Sequence, residues 1–305
     1  MAFLRAFGAW APERIVTNQE IAPRIGKDPG WILEMTGIEQ RRWAAPGETA
    51  ADLAARAGAA CLERAGMNPA DVAMLIVSCG TGERRFPGPA SAAAHALGLG
   101  TVPAIDIPVA SAGALFGMSL AAGLADRVGN ILVIAAEKMS ATVDHEPMDP
   151  ASGMLFGDGA GACLVSRDKG GWEVIDWVLH SDGSAADLIQ LPLNGAFAMD
   201  GMGVILHASR KIPGAISELL ARNGIAPGAV DQFLLHQANQ NLLSRIAKSL
   251  RVDASRIYSN IAHYGNTSSA SMLIAAAEAG PVGDLLCFGA FGAGLHWGAL
   301  AARRV

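Results

Sequence analysis

Charge is sparse in this chain, and no stretch of it is basic. Only 17% of the 305 residues are charged, and the net charge is -5. A nucleic-acid partner needs a cationic footprint, so that class is set aside. Long apolar runs are missing as well, since none reaches the roughly 18 residues needed to span a bilayer. The N-terminus has no charged segment followed by an apolar core, the mark of a secretory signal. No membrane association is expected, and the expected location is cytoplasmic. Cysteine is rare. Cys61, Cys79, Cys163 and Cys287 lie in apolar segments without close pairing, which reads as buried free thiols rather than disulfides or a zinc site. His145, His263 and His296 lack metal-ligand spacing, so no metal is expected. Gly157-Asp-Gly-Ala-Gly161 has the glycines of a phosphate-cradling loop. It has neither the strand-then-helix setting of a dinucleotide fingerprint nor the Lys-Ser/Thr of a P-loop. Nucleotide hydrolysis and dinucleotide redox chemistry are therefore not expected.

What the chain has in quantity is apolar sequence, at 51% of residues, enough for a large core. Strand-like runs fall at Val72–Ser78, Val102–Ile107, Asn130–Ala136, Gly161–Ser166, Trp172–Leu179, Gln232–Leu235 and Asp284–Gly289. Helical patterns fall between them, at Ala50–Gly66, Ala90–Leu97, Gly113–Ala125, Ser209–Asn223, Gln240–Ser249 and Ser268–Ala279. Thr49 followed by Asp52 is a capping signal for the first of these helices. Such alternation predicts an α/β protein with largely parallel, buried strands.

The segment Arg64–Ser78 resembles Arg222–His236. Each reads as a helix end, a Gly stop, a Pro turn and a buried strand. About thirty residues after each strand comes an apolar stretch that breaks into small residues and a helix start. These starts are Ser111-Ala-Gly in one half and Gly265-Asn-Thr-Ser-Ser269 in the other. The spacing predicts a duplication, with halves at residues 1–167 and 168–305. Equivalent strand mouths would then face each other, and a site between them would draw residues from both halves.

Three segments can build that site. Ser111 follows a short apolar run and precedes an apolar helix, the layout of a nucleophile at a strand-to-helix turn. His236 ends a buried strand, and Asn266 sits at a helix start. Singly, each has an ordinary structural reading, as a helix cap, a hydrogen-bonding histidine and an N-cap.

In this order, with their neighbours, they resemble the β-ketoacyl-acyl-carrier-protein synthase III family, a branch of the thiolase-like condensing enzymes. The motifs are Trp31-Ile-Leu-Glu-Met-Thr-Gly-Ile38 with Arg41 and Ala44-Ala-Pro46, then Phe86-Pro87 and Phe156-Gly-Asp-Gly-Ala-Gly161. His180-Ser-Asp-Gly183, His236-Gln-Ala-Asn239, Gly265-Asn-Thr-Ser268 and Phe291-Gly-Ala-Gly-Leu-His-Trp-Gly298 follow. The resemblance implies a thiolase-like fold of two pseudo-duplicated halves, a five-layer αβαβα sandwich, as a homodimer. It implies an acyltransferase without a cofactor, taking acyl-coenzyme A or acyl-carrier protein as substrate. The acyl group would load residue 111 before decarboxylative condensation with malonyl-carrier protein. His236 and Asn266 would hydrogen-bond the malonyl thioester carbonyl, and the backbone amides of Ser111 and Ala293 would form the oxyanion site at the nucleophile. Ala293 stands where glycine is usual.

The chain also departs from the family. The nucleophile there is cysteine. A thiol with a pKa of about 8.5 ionises readily at a helix N-terminus, whereas a serine hydroxyl needs an adjacent base. An acyl-serine is also a poorer acyl donor to a carbanion than a thioester. Three readings of Ser111 stand open: a native serine enzyme that selects or transfers starter units, an engineered Cys→Ser change that traps a substrate complex, and a non-condensing partner subunit of a ketosynthase heterodimer. Retention of His236 and Asn266 argues against the third. By resemblance Trp31 stacks on the adenine of coenzyme A, but Met35 and Pro150 occupy the places of two framing arginines, so weakened coenzyme A binding is expected. Arg210, Lys211, Arg245, Lys248 and Arg251 match the segments that dock the acidic carrier. Phe86 matches the residue that crosses the dimer interface to close the partner's acyl pocket. Met118, Met154, Leu155, Met199 and Met202 are expected to line an adaptable pocket.

Overall fold

A computed structural model describes residues 1–193 and 195–305. Its main sheet contains β1 (Phe3–Trp10), β2 (Met74–Ser78), β3 (Ala104–Ile107), β4 (Ile131–Lys138) and β5 (Asp158–Ser166). It continues with β6 (Trp172–Ser181), β7 (Gln232–Leu235), β8 (Leu285–Gly292) and β9 (His296–Arg304). The order across the sheet is β7-β8-β9-β6-β1-β5-β4-β2-β3. The first half runs β3-β2-β4-β5-β1. The second runs β7-β8-β9-β6, and the place of a third strand beside β7 is held by one parallel bridge, Phe233 to Ile257. Strand directions match between the halves as well as the order. The halves join edge to edge where Phe3 and Leu4 of β1 meet Glu173 and Trp172 of β6.

The sheet is not largely parallel. Apart from the Phe233–Ile257 bridge, pairing in this sheet is parallel where β2 meets β3 and β4 and where β7 meets β8; its other ladders are antiparallel. Continuous apolar runs record burial on both faces, and helices on both faces bury a strand whichever way it runs.

The longer helices are α1 (Asn18–Arg24), α2 (Pro29–Thr36), α3 (Ala50–Ala65), α4 (Pro89–Ala96), α5 (Gly113–Val128), α6 (Gly201–Arg222), α7 (Gln240–Leu250) and α8 (Ser271–Ala279). Six of them, α3 to α8, make the three helical layers. On one outside face, α3 and α4 set Leu53, Ala57, Cys61 and Ala93 against the first half of the sheet. On the other, α6 and α7 set Ile212, Ile216, Leu219 and Ile246 against the second half. Between the halves lie α5 and α8, whose Leu115, Met118, Met272 and Leu273 belong to one central core. Although Leu120 and Leu124 are exposed, the flanks of α5 that face the two halves of the sheet are buried and apolar. Ala, Gly and Ser keep it thin enough to fit there.

Local chemistry accounts for the helix boundaries. Thr49 and Asp52 form a reciprocal capping box, with Thr49 N–H donating to Asp52 at 2.9 Å and Asp52 N–H to Thr49 at 3.2 Å. Two helices escaped the sequence pattern, although Asp28 before Pro29 is a start signal: its carboxylate accepts from Gly30 N–H at 2.7 Å. Helix α6 begins at Gly201, well before Ser209, because Asp200 caps Gly203 N–H at 3.0 Å. Glycines in that first turn hid the start. All four cysteines are free and buried, and burial pushes the Cys61 and Cys287 thiols up to about 12. Among the described residues no helix is long and apolar enough to cross a membrane.

Met118 is fully buried in the central layer, so it is core rather than pocket. Met118→Ala is expected to lower stability by about 2–5 kcal/mol, measured by urea unfolding.

Candidate active site

Ser111 lies between β3 and α5 with φ at +64°, a left-handed conformation that a non-glycine residue adopts at a cost on the order of 1–3 kcal/mol. Ala112 N–H closes the turn onto Ala110 C=O at 2.8 Å, and α5 starts at Gly113. This is the strand-to-helix elbow that the sequence predicts. The second half closes on it at Gly292, where a Cβ would stand 1.9 Å from Ala110 O and 2.7 Å from Ala112 N. Only glycine fits there. The close approach brings the β8–β9 turn, with Ala293, against the elbow.

His236 follows β7 directly, and its N–H donates to Gly289 C=O at 2.9 Å. Burial lowers the imidazole pKa to about 4, so the ring is neutral near pH 7. Its Nδ1 is 2.7 Å from Ser271 Oγ. That hydroxyl also accepts from Gln237 N–H at 3.0 Å and faces Ser268 C=O at 3.0 Å. A hydroxyl can either give or take a hydrogen bond. Pointed at Nδ1, it leaves the proton on Nε2, which is then a donor. Pointed at Ser268 C=O, it takes a bond from Nδ1–H, and Nε2 is then an acceptor.

Asn266 is positioned by the Phe156-Gly-Asp-Gly turn. Its N–H donates to Leu155 C=O at 2.8 Å, and its C=O accepts from Gly157 N–H at 3.1 Å. A Cβ at Gly157 would lie 2.2 Å from Tyr264 O, which is why that motif needs its glycine. Asn266 Oδ1 accepts from Ser268 N–H at 2.9 Å. The side-chain amide is thereby oriented, with Nδ2 left as a donor.

A network beneath Ser111 was not foreseen from the sequence. Ser111 N–H donates to Ser268 Oγ at 3.0 Å, and the two hydroxyls lie 3.4 Å apart. The amide expected to serve the oxyanion site is therefore engaged at rest. Ser268 and Ser269 hydroxyls donate to Glu137 Oε1 at 3.1 and 2.7 Å. Thr81 Oγ and Gly80 N–H donate to Oε2 at 2.7 and 3.0 Å. Glu137 is fully buried, and burial holds its carboxyl above the usual carboxylate range against the pull of those donors. The available signal was one acidic residue at the end of the apolar run Ile131–Ala136.

Ser111, His236 and Asn266 line one cavity of about 200 Å³, together with Met35, Met154 and Met199. Its size suits a slim chain rather than a whole folded cofactor. Leu155 lines it too. Met118 and Met202 do not: the first is core, and the second is 84% exposed. At the rim, Asn239 and Asn241 side-chain amides each donate to Met35 C=O at 3.0 Å, tying the start of α7 to the end of α2. Ala151 lines the cavity beside the exposed Pro150. Trp31 is half-buried against the cluster around Ile32 and Trp43, with Lys27 Nζ 5.0 Å from its ring. Phe86 is 84% exposed and borders a separate groove. Arg210, Arg245, Lys248 and Arg251 are exposed and make no ion pair among the described residues. Lys211 differs from them. Its ammonium is 3.4 Å from Asp182 and 3.6 Å from the Trp297 ring centroid, so its charge is spent within the chain. Among the described residues no three His, Cys, Asp or Glu side chains gather as a metal site.

Comparison with known proteins returned two family models. 3-Oxoacyl-[acyl-carrier-protein (ACP)] synthase III matches residues 105–183, and its C-terminal counterpart matches residues 220–304. The β-ketoacyl-[acyl-carrier-protein] synthase III of Chlamydia caviae is 35% identical over 327 residues, covering 100% of this chain and 97% of that protein. The crystal structure of 3-oxoacyl-[acyl-carrier-protein] synthase III from Aquifex aeolicus superposes with a TM-score of 0.94 at 31% identity, covering 99% of this chain and 100% of the other. The priming β-ketosynthase of the R1128 polyketide pathway superposes at 0.93 with 29% identity, covering 100% of this chain and 96% of the other.

Burial of His236 makes a prediction about pH. An unfolded histidine titrates near 6.5, while His236 in the folded chain resists protonation down to about 4. Between those values the unfolded chain binds a proton that the folded one refuses. Stability therefore falls as pH drops through that window, by about 1.4 kcal/mol per unit at most. The raised carboxyl of Glu137 acts in the opposite sense, and comparison with a variant cancels it. Urea midpoints at pH 7 and pH 5 are expected to differ less in His236→Gln than in the unaltered protein.

Proposed function

Because the chain belongs to the 3-oxoacyl-[acyl-carrier-protein] synthase III family, an acyltransferase family, we propose that it accepts an acyl group on Ser111 and passes it on as a starter unit. The observation that carries this reading is the shared cavity: a serine on a strained backbone, a neutral imidazole and an oriented asparagine amide open on one narrow apolar space. In the first step Ser111 Oγ bonds to a thioester carbonyl carbon. The carbon–sulfur bond breaks and the thiol departs. The amides of Ser111 and Ala293 hold the oxyanion, the first after releasing Ser268 Oγ. In the second step a carrier thiol attacks the acyl-serine carbonyl carbon and the ester C–O bond breaks. The thiol proton returns to Ser111 Oγ, and the acyl group leaves as a new thioester. In the condensing form, with cysteine at 111, His236 Nε2–H and Asn266 Nδ2–H would instead bond the carbonyl of the malonyl thioester. Neutral donors aimed at developing oxyanion charge favour the transition state over the ground state. An oxygen ester resists attack by a carbanion, so acyl transfer suits Ser111 better than condensation, and Ser111→Cys would restore condensation. The starter role also agrees with the likeness to the R1128 priming enzyme.

The acyl donor in this reading is a carrier protein rather than free coenzyme A. Met35 and Pro150 supply neither the stacking nor the phosphate contacts of arginine. Arg245 and Lys248 of α7, with Arg251 at its end, sit on the element tied to Met35 at the rim, and their charge complements an acidic carrier. We place the enzyme in the cytoplasm as a homodimer, with Phe86 reaching toward the partner's cavity.

The test is to incubate the protein with acyl-coenzyme A, acyl-carrier protein and malonyl-carrier protein, and to follow protein mass and released carbon dioxide. The expected result is an acyl adduct on the Ser111 peptide, absent in Ser111→Ala, and carbon dioxide release with condensation in Ser111→Cys. No adduct from any donor overturns the reading and favours a non-condensing partner subunit. Reversing charge at Lys248 and Arg251 together is expected to slow loading from the carrier about tenfold or more, while loading from a small soluble thioester stays unchanged. Low-micromolar loading by free acyl-coenzyme A would contradict the carrier preference.

A further inference from the structure

The Ser111 hydroxyl has a single hydrogen-bond partner among the described residues, Ser268 Oγ at 3.4 Å. The direction of that contact follows from counting protons. A hydroxyl gives one hydrogen and accepts two. Ser268 Oγ accepts Ser111 N–H at 3.0 Å, and its own proton points at Glu137 Oε1, 3.1 Å away. A carboxylate outcompetes a neutral hydroxyl for that proton. The lone pair left on Ser268 then faces the Ser111 O–H. With Glu137 ionised, the order runs from Ser111 to Ser268 to Glu137.

We propose that Ser268 and Glu137 form a proton relay that activates Ser111 as a nucleophile. The proposal rests on the acyl-serine reading above. As Ser111 Oγ bonds to the thioester carbonyl carbon, its proton moves to Ser268 Oγ, and the proton of Ser268 moves to Glu137 Oε1. When the carbon–sulfur bond breaks, the proton returns through Ser268 to the departing sulfur. Nothing is oxidised or reduced, and no further reactant is needed. Two other features support the relay. Glu137 makes no ion pair among the described residues, so no cation holds its charge, and burial raises its affinity for a proton, which favours a general base. Ser268 is also held at a left-handed φ of +49° opposite Ser111 at +64°, and strain of this kind collects where chemistry needs fixed geometry. The competing base is His236. No hydrogen bond joins it to Ser111 among the described residues, and its low proton affinity makes it the weaker acceptor.

Residue 111 supplies the control. A serine needs a base to become a nucleophile, whereas a cysteine can ionise without one. Acylation rates would be followed by mass spectrometry with one acyl-carrier donor, for Ser268→Ala and Glu137→Gln, each with Ser111 and with Ser111→Cys. The relay predicts a loss of about 10²-fold or more from Ser268→Ala with serine at 111, and less than about tenfold with cysteine. Glu137→Gln should show the same asymmetry, with folding checked by thermal unfolding. Should that variant not fold, Ser268→Ala alone decides. Equal losses in both backgrounds would mean that these residues only hold the elbow, and would overturn the relay. A Ser111 adduct that forms at an unchanged rate in Ser268→Ala would overturn the relay alone. If only His236→Ala shows the asymmetry, the base is His236. Absence of any Ser111 adduct in the unaltered protein overturns the acyl-serine reading and the relay together.

Discussion

A single contact sets the geometry of the site: the bare α-carbon of Gly292 lies against the carbonyl of Ala110, where a methyl group would stand 1.9 Å from the oxygen. Ser111 belongs to the first half of the sheet, and His236 and Asn266 belong to elements of the second. Their common cavity exists because the two halves come this close at the elbow. Thin central helices make the approach possible. Helix α5 buries Ala114, Ala121 and Ala125, and α8 contributes Ala275 and Ala276. The small residues of the middle layer and the glycine at the turn serve the same end.

The electrostatics of the site follow from its dryness. His236 is too deeply buried to carry charge near neutral pH, and Asn266 and the backbone amides are neutral dipoles. The acidic group behind Ser111, Glu137, is withdrawn from the cavity behind Ser268 and surrounded by four donors. On the acyl-transfer reading, negative charge that develops on a substrate oxygen would meet neutral donors rather than a fixed opposite charge. Such an arrangement discriminates between transition state and ground state, because it binds weakly until charge appears.

Much of this was legible in the sequence where burial was uniform. Gln232–Leu235 carries the unbroken apolar run Phe233–Leu235, and its boundaries match the strand. The terminal strands β1 and β9 escaped notice. Arg5 interrupts β1, and Ala299, Ala301 and Ala302 give β9 a composition that suits helices as well. Without those two strands the antiparallel centre of the sheet was invisible. Ser111, His236 and Asn266 could be found because each stands where an apolar segment breaks into a helix start. The roles of Ser268, Ser271 and Glu137 could not be found in that way. A serine in a polar turn looks the same whether it faces water, a carboxylate or an imidazole, and its partners here are 3 to 157 residues away. Lys211 shows the same limit from the other side: its charge was plain, but its engagement with Asp182 and Trp297 is tertiary.

Ser271 has a consequence for the tautomers that the buried histidine can hold. A carboxylate beside Nδ1 would accept a proton only, and would lock the ring in a single tautomer. A backbone carbonyl would do the same. A hydroxyl is amphoteric, so Nδ1 has a partner in either tautomer. Reorienting that hydroxyl takes picoseconds to nanoseconds, far shorter than an ordinary enzymatic turnover. The imidazole thus keeps a hydrogen bond at Nδ1 in either neutral tautomer while every heavy atom around it keeps its place.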